Sequence, residues 1–346
     1  VLVKTASLDY SADLIGNLVP IMKKYGVRCS PIEFYDAVNL HFHAAESRVY
    51  DEIHKTMWQT LPRQFELLTE DCAAVAPKGK LRVLDVGCGT GLSAELFLNT
   101  RLGSRTGVMH LLDTSREMLG KATSRARSWP VDTSSHCGKL SDLPASQQFD
   151  VILVCSVLHH LADLRSFLNE VAERQSGGGL FLHFQDPNAD FADDPGSLSR
   201  LAEFNSARAQ PIQTPFFRKL TPRRIYKRLL RQFYGRQDYI GDTNRSLLRA
   251  GIIKRAMSDV DIWLVTDIRI SPTIYGVSLQ SLKSMLPRYE LVTSRSYAFF
   301  EDVGDNLPEQ FRAREEQLIR NRSMTGRKLS GAWRLSRESG KSSSTV

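Results

Sequence analysis

Apolar residues along the chain gather in short runs before any motif is considered. LRVLDV (81–86), GVMHLLD (107–113), FDVILVC (149–155) and LFLHF (180–184) are too short for helices. They are also too continuously apolar for strands wetted on one side, so each reads as a strand buried on both faces. Between them the spacing becomes helical, over 92–102 and again over 163–174, where Leu164, Phe167, Leu168 and Val171 make one apolar face. Strands alternating with helices predict a parallel sheet covered on both sides. Upstream, 46–72 reads as helix, with Val49, Ile53 and Met57 at four-residue steps and Pro62 breaking or restarting it near Leu61. The alternation stops from Asp186 to about Ser271, where Pro187, Pro195, Pro211, Pro215 and Pro222 punctuate a helix-rich stretch. It resumes with a helix at 278–286, a strand at 289–300, a helix at 308–321 and a strand at 329–336.

At 346 residues the chain exceeds the usual size of one domain, which fits a core carrying an insertion. No apolar run approaches the length needed to cross a bilayer, so no membrane partner is expected. The first thirteen residues lack the order of a secretory signal, and the missing initiator Met reads as processing or truncation. Five cysteines without a CxxC spacing argue against a disulfide framework and a structural zinc site, and a reducing cytoplasm fits best. The net charge of +8 is concentrated: 218–255 holds twelve Lys or Arg against Asp238 and Asp242, leaving the rest close to neutral.

The sharpest chemical signal is LDVGCGTG (84–91). Gly87, Gly89 and Gly91 end a strand and open a helix, so the backbone can turn tightly and approach a ligand that a Cβ would repel. A dinucleotide fingerprint would need its third glycine at 92, which is Leu92, and no Lys-Ser/Thr pair follows for a P-loop. Asp113 closes the next strand, where a carboxylate can accept two ribose hydroxyls or cap a helix. CSVLHH (155–160) closes the strand after that and carries two histidines, His159 and His160, too few by themselves for a metal site. The histidines also suit a structural role, one packed in the core and one exposed.

In these residues the chain resembles the class I methyltransferases that use S-adenosylmethionine (SAM), from Leu81 to about Asp186 and again over 278–336. The resemblance implies a seven-stranded, mostly parallel Rossmann-like sheet with an N-terminal helical extension and a helical cap insertion. The boundaries follow: extension or lid at 1–76, core at 77–186 and 278–337, cap at 187–277, disordered tail at 338–346. It further implies SAM as cofactor, with Asp85 positioning its amino acid end and Gly87, Cys88, Gly89 and Gly91 passing beneath it. Asp113, Thr114 and Met118 would flank ribose and adenine, Leu140 would pack on the adenine, and Cys155 and Ser156 would lie beside the methyl group. Lys139 would line the cofactor site beside Leu140, although it stands where many relatives have an acid and so offers no carboxylate contact to the adenine. Relatives fold their N-terminal segment over the cofactor, which nominates Tyr50 or Phe42 as a lid residue.

The expected reaction is methyl transfer to a small-molecule acceptor, with His160 as the preferred base ahead of His159, and His43, His183 and Asp186 as rivals. A side chain titrating near 6.5 is neutral enough at pH 7 to take a proton. Two other readings stay open. The basic 218–255 stretch, interleaved with Tyr226, Phe233, Tyr234 and Tyr239, suits an RNA methyltransferase. A SAM-binding protein without catalysis would keep the glycine turn alone.

Overall fold

The computed structural model describes residues 14–192, 194–209, 238–271, 274–300 and 307–336. The expected tail and the basic residues 218–237 lie outside them. In chain order the strands are β1 (Leu81–Val86), β2 (Thr106–Asp113), β3 (Asp132–Cys137), β4 (Phe149–Cys155), β5 (Gln175–Pro187), β6 (Ile270–Ser271), β7 (Ile274–Tyr275), β8 (Tyr289–Tyr297) and β9 (Lys328–Leu335). Seven of them form one sheet in the order β3-β2-β1-β4-β5-β9-β8, while β6 and β7 pair separately. All pairings among β1 to β5 are parallel, and β9 is antiparallel to both of its neighbours, so it alone opposes the sheet direction. The expected seven-stranded, mostly parallel Rossmann-like sheet is therefore the fold.

Both faces of the sheet are dry at its central strands, which is why β1, β4 and the core of β5 read as continuous apolar runs. Alternate residues of β1 and β4 go to opposite sides: Val83, Val151 and Leu153 to one cluster, Leu84, Ile152 and Val154 to the other. The first side is covered by α4 (Lys55–Cys72), which follows α1 (Leu18–Tyr25), α2 (Pro31–Glu46) and the single turn α3 (Tyr50–Ile53). Phe65 of α4 stacks on Phe184 of β5 with ring centres 3.8 Å apart. Helices α5 (Leu92–Leu98) and α6 (Arg116–Ala126) complete that side, and α7 (Leu164–Arg174) covers the other.

The 187–277 stretch divides. After α8 (Ala189–Ala192), helix α9 (Pro195–Ala209) sends Phe204 against Phe300 and Phe311 on the α4 side of the sheet. Helices α10 (Tyr239–Arg249) and α11 (Asp259–Thr266) instead join α1 and α2 in a third apolar cluster containing Phe34, Phe42, Leu247 and Ile262. The chain then returns through α12 (Leu279–Met285) and α13 (Glu309–Arg320) to the sheet.

Three details differ from the sequence reading. The stretch 46–72 is not one helix: α2 ends at Glu46 and α4 starts at Lys55, while Pro62 lies inside α4 without ending it. Packing of Leu61, Phe65 and Leu68 holds the helix together across the missing N–H. Strand β3 was absent from the pattern because DTSSHC is an edge strand with little buried side chain, so no apolar run marks it. The 289–300 strand stops at Tyr297, where Ala298 turns with φ of 59° and Glu315 accepts the backbone N–H groups of Ala298 and Phe299.

Candidate active site

The site starts at the carboxyl end of β1. Gly87, Gly89 and Gly91 all take positive φ, and at Gly89 (53°) a Cβ would meet nothing, so the turn borders open space. Gly91 faces Ala122 so closely that a Cβ would sit 3.2 Å from its backbone, which lets α6 pack against the turn. Gly87 and Cys88 both donate to the carbonyl of Leu112, tying the turn to the end of β2.

Two carboxylates flank this turn. Asp113 accepts the N–H of Gly89 on one oxygen and that of Ser115 on the other, both at 2.8 Å. Burial pushes its carboxyl up, against the two N–H groups that favour the ionised form. Asp85 is fully buried, and its Oδ2 accepts the Ser93 hydroxyl at 2.6 Å. Its Oδ1 has no partner, and burial raises its pKa to about 8. A buried carboxylate oxygen without a donor is costly unless something supplies one.

A clasp from the N-terminal helices closes over the turn. Asp51 accepts the Thr90 hydroxyl at 2.6 Å and pairs with Arg125 at 2.7 Å, while Arg125 also reaches Glu95 and lies over Trp58. Asp51 carried no signal in the sequence, since its partners are 39 and 74 residues away. Its neighbour Tyr50 has a buried hydroxyl whose ionisation is pushed up by burial and by the charges of Glu46, Cys155 and Asp113. Phe42 sits in the third apolar cluster, edge-on to Tyr239, Trp263 and His43, so it backs the histidines rather than covering the glycine turn.

The histidines form a cluster at the ends of β4 and β5. His159 and His160 sit on a single turn, Leu158–His160. His159 is buried, with Nδ1 2.9 Å from Asp186 Oδ1, which also accepts its backbone N–H. His160 Nδ1 is 2.8 Å from the carbonyl of Thr266 and 3.2 Å from Asp267 Oδ1. A carbonyl can only accept, so Nδ1 of His160 carries the proton and Nε2 keeps its lone pair. Burial lowers the pKa of both rings well below 6.5, so the near-ordinary titration expected of His160 is corrected downward. His43 stands edge-on to His160 at 5.4 Å, and Glu46 lies between His43 and His54. Burial opposes ionisation of Glu46, but the two histidines prevail and bring it down to about 2. Asp267 is a third potential ligand beside His159 and His160, with one ligand atom from each within 4.8 Å of the others. Asp186 holds His159 and the Thr266 carbonyl holds His160, while Asp267 Oδ1 stands 3.9 Å from His159 Nε2.

Residues 83–179 match the family model described as a methyltransferase domain. The chain carries a methyltransferase domain. The ubiquinone biosynthesis O-methyltransferase of Nitrobacter winogradskyi is 36% identical over 101 residues, 29% of this chain and 36% of that protein. The enzyme of that name from Parvibaculum lavamentivorans is 36% identical over 113 residues, 32% of this chain and 43% of that protein. The chain thus matches less than half the length of these relatives. Among solved structures, the plantazolicin methyltransferase BpumL in complex with SAH aligns over 88% of this chain and 98% of its own, with 13% identity and a TM-score of 0.44.

Within the methyltransferase domain the expected residues separate by position. Gly87, Cys88, Gly89, Asp85 and Asp113 converge at the ends of β1 and β2, and Cys155 and Ser156 follow at the end of β4. Ser156 takes φ of 61°, which turns the chain out of β4 toward the histidine turn. Met118 is buried in the first turn of α6, and Thr114 is exposed beside Asp113. Leu140 is buried in the α7-side core, whereas Lys139 is drawn outward to Asp36 of α2 at 2.6 Å. Thr266, Asp267 and Glu46 were not anticipated; each lies far from the histidines in sequence or in a helix whose role no motif announces.

Proposed function

We propose that the chain is a SAM-dependent methyltransferase acting on the hydroxyl of a small-molecule acceptor. The observation that carries this reading is the unpartnered Oδ1 of Asp85 beside the open cradle at Gly89, within the matched domain. A cofactor ammonium there would supply the donor that this buried oxygen lacks, while the free lone pairs of Asp113 suit a vicinal diol. When bound, SAM supplies a methyl group activated by its sulfonium.

The chain's own residues then hold and deprotonate the acceptor. Tyr50 and the Asp51 clasp exclude water from the turn. His160, fixed by Thr266 and Asp267, presents Nε2 to take the hydroxyl proton, and alignment contributes the larger share, about 7 to 11 kcal/mol. The 187–277 stretch acts as the acceptor cap, since it delivers Thr266 and Asp267. The similarity to ubiquinone biosynthesis O-methyltransferases supports a small-molecule acceptor. Among the described residues no helix is long and apolar enough to cross a membrane.

Calorimetry with SAM and S-adenosylhomocysteine tests the reading. Binding of either is expected at one site per chain, and tight NAD binding without SAM binding would overturn it. RNA retention on filters at physiological salt would favour the nucleic-acid alternative.

A further inference from the structure

Lys328 brings an ammonium to the acceptor side of the cleft without a counter-charge in contact. It opens β9, opposite Pro187 of β5 and Tyr297 of β8. Leu329, Trp333 and Leu335 of β9 enter the α7-side core, so Lys328 faces the other side with Ala332, where Tyr297 and Cys155 pack. Its charge bears on the ionisation of Cys155, Asp186, Asp267 and His159, which places it among them. None of the nearby acceptors is in contact with it: Asp186 Oδ1 holds His159, Asp186 Oδ2 is buried without a hydrogen-bond partner, and Gln185 accepts the Tyr297 hydroxyl at 2.8 Å. No described residue forms an ion pair or hydrogen bond with its Nζ, although the side chain is largely buried and burial lowers its pKa.

An ammonium kept partly from water and unpaired is unfavourable unless an anion joins it. We propose that Lys328 anchors a carboxylate on the methyl acceptor, an inference that rests on the methyltransferase reading above. A monoanion fits better than a phosphate, because Asp186 and Asp267 lie within range of the same ammonium and would repel a dianion. The cofactor's own carboxylate is the rival occupant. Three strand spacings separate β9 from β1 and its glycine turn, about 14 Å at ~4.8 Å per strand, which assigns Lys328 to the acceptor.

The test uses the full chain saturated with S-adenosylhomocysteine. Acetate, benzoate and indole-3-acetate, each beside its amide, are titrated by ligand-observed NMR against wild type, Lys328→Met and Lys328→Arg. At least one acid is expected to bind tenfold or more tighter than its amide. Lys328→Met should erase that preference, Lys328→Arg should keep most of it, and the amides should not respond. The inference is overturned if no acid is preferred, or if the preference survives in Lys328→Met. A loss of S-adenosylhomocysteine affinity in Lys328→Met as large as the loss of the acid also overturns it, since the ammonium would then serve the cofactor. Failure of the wild type to bind S-adenosylhomocysteine removes the methyltransferase reading itself and this inference with it.

Discussion

Gly89 and its partner Asp113 are 24 residues apart, whereas His160 takes its proton acceptor from Thr266, 106 residues away. The proposed cofactor half of the cleft is made mainly by the ends of β1, β2 and β4, with the Asp51 clasp added from the segment just before them. The proposed acceptor half needs segments scattered along the chain: the histidine turn after β4, Asp186 at the end of β5, the α2 helix with His43 and Glu46, the end of α11 and, by the inference above, Lys328 of β9. On the proposed reading, acceptor choice can change in the second half without disturbing the first.

The largest effect should come from the acceptor half. His160→Gln is expected to lower kcat by about 10² to 10⁴ with SAM affinity unchanged, measured by single-turnover kinetics and calorimetry. An equal loss of SAM affinity would show that the halves are not separate. In the cofactor half, Asp85→Ala should weaken SAM binding by about 1.5 to 3 kcal/mol, roughly 10- to 150-fold, because it removes a charged partner. Carboxylate probes on the acceptor side should bind that variant as they bind the wild type.

A smaller effect follows from the pKa of Asp85, raised to about 8 by burial. Its proton stabilises the ligand-free fold, a contribution present below about 3.8 and lost as pH rises through about 8. A bound ammonium favours the ionised form, so SAM affinity should climb between pH 6 and 8, by at most about tenfold per unit. Titrations across that range check the slope, which must vanish in Asp85→Ala. Kinetics add a contrast. His160 is already neutral at pH 7, so with SAM saturating the ascending limb of kcat/KM for the acceptor should lie well below pH 6.5. The smallest change is expected for Asp51→Ala, which frees Thr90 and Arg125. Because that clasp is partly exposed, SAM affinity should fall only a few-fold, about 1 kcal/mol or less, with faster amide exchange across 50–72.

The same contrast governs what could be read from the sequence. β1, β2, β4 and the core of β5 announce themselves because both of their faces are buried, and the glycine turn does so because its conformation tolerates few side chains. β3 carries no apolar period and stayed hidden. Pro62 signalled a break that tertiary packing overrides, while the real interruption between α2 and α4 falls at 47–54 in a stretch with no proline or glycine. Asp267 and Thr266 could not be found, since a carboxylate or carbonyl that meets a histidine a hundred residues away leaves no spacing to detect. Lys139 was legible as a departure from the resemblance, but its pairing with Asp36 was not.

The placement of β9 also bears on how the chain is made. β5 is complete at Pro187, yet the strand that pairs with its free edge begins at Lys328. On a ribosome adding about 5 to 20 residues per second, that edge stays unpaired for many seconds, and β8 then waits beside it with an open edge of its own. β9 must slot between the two as a wedge rather than add to a margin. Nascent chains halted before Lys328 would hold two templates for unwanted strand pairing, so elongation speed through 188–327 and chaperone cover become determinants of yield.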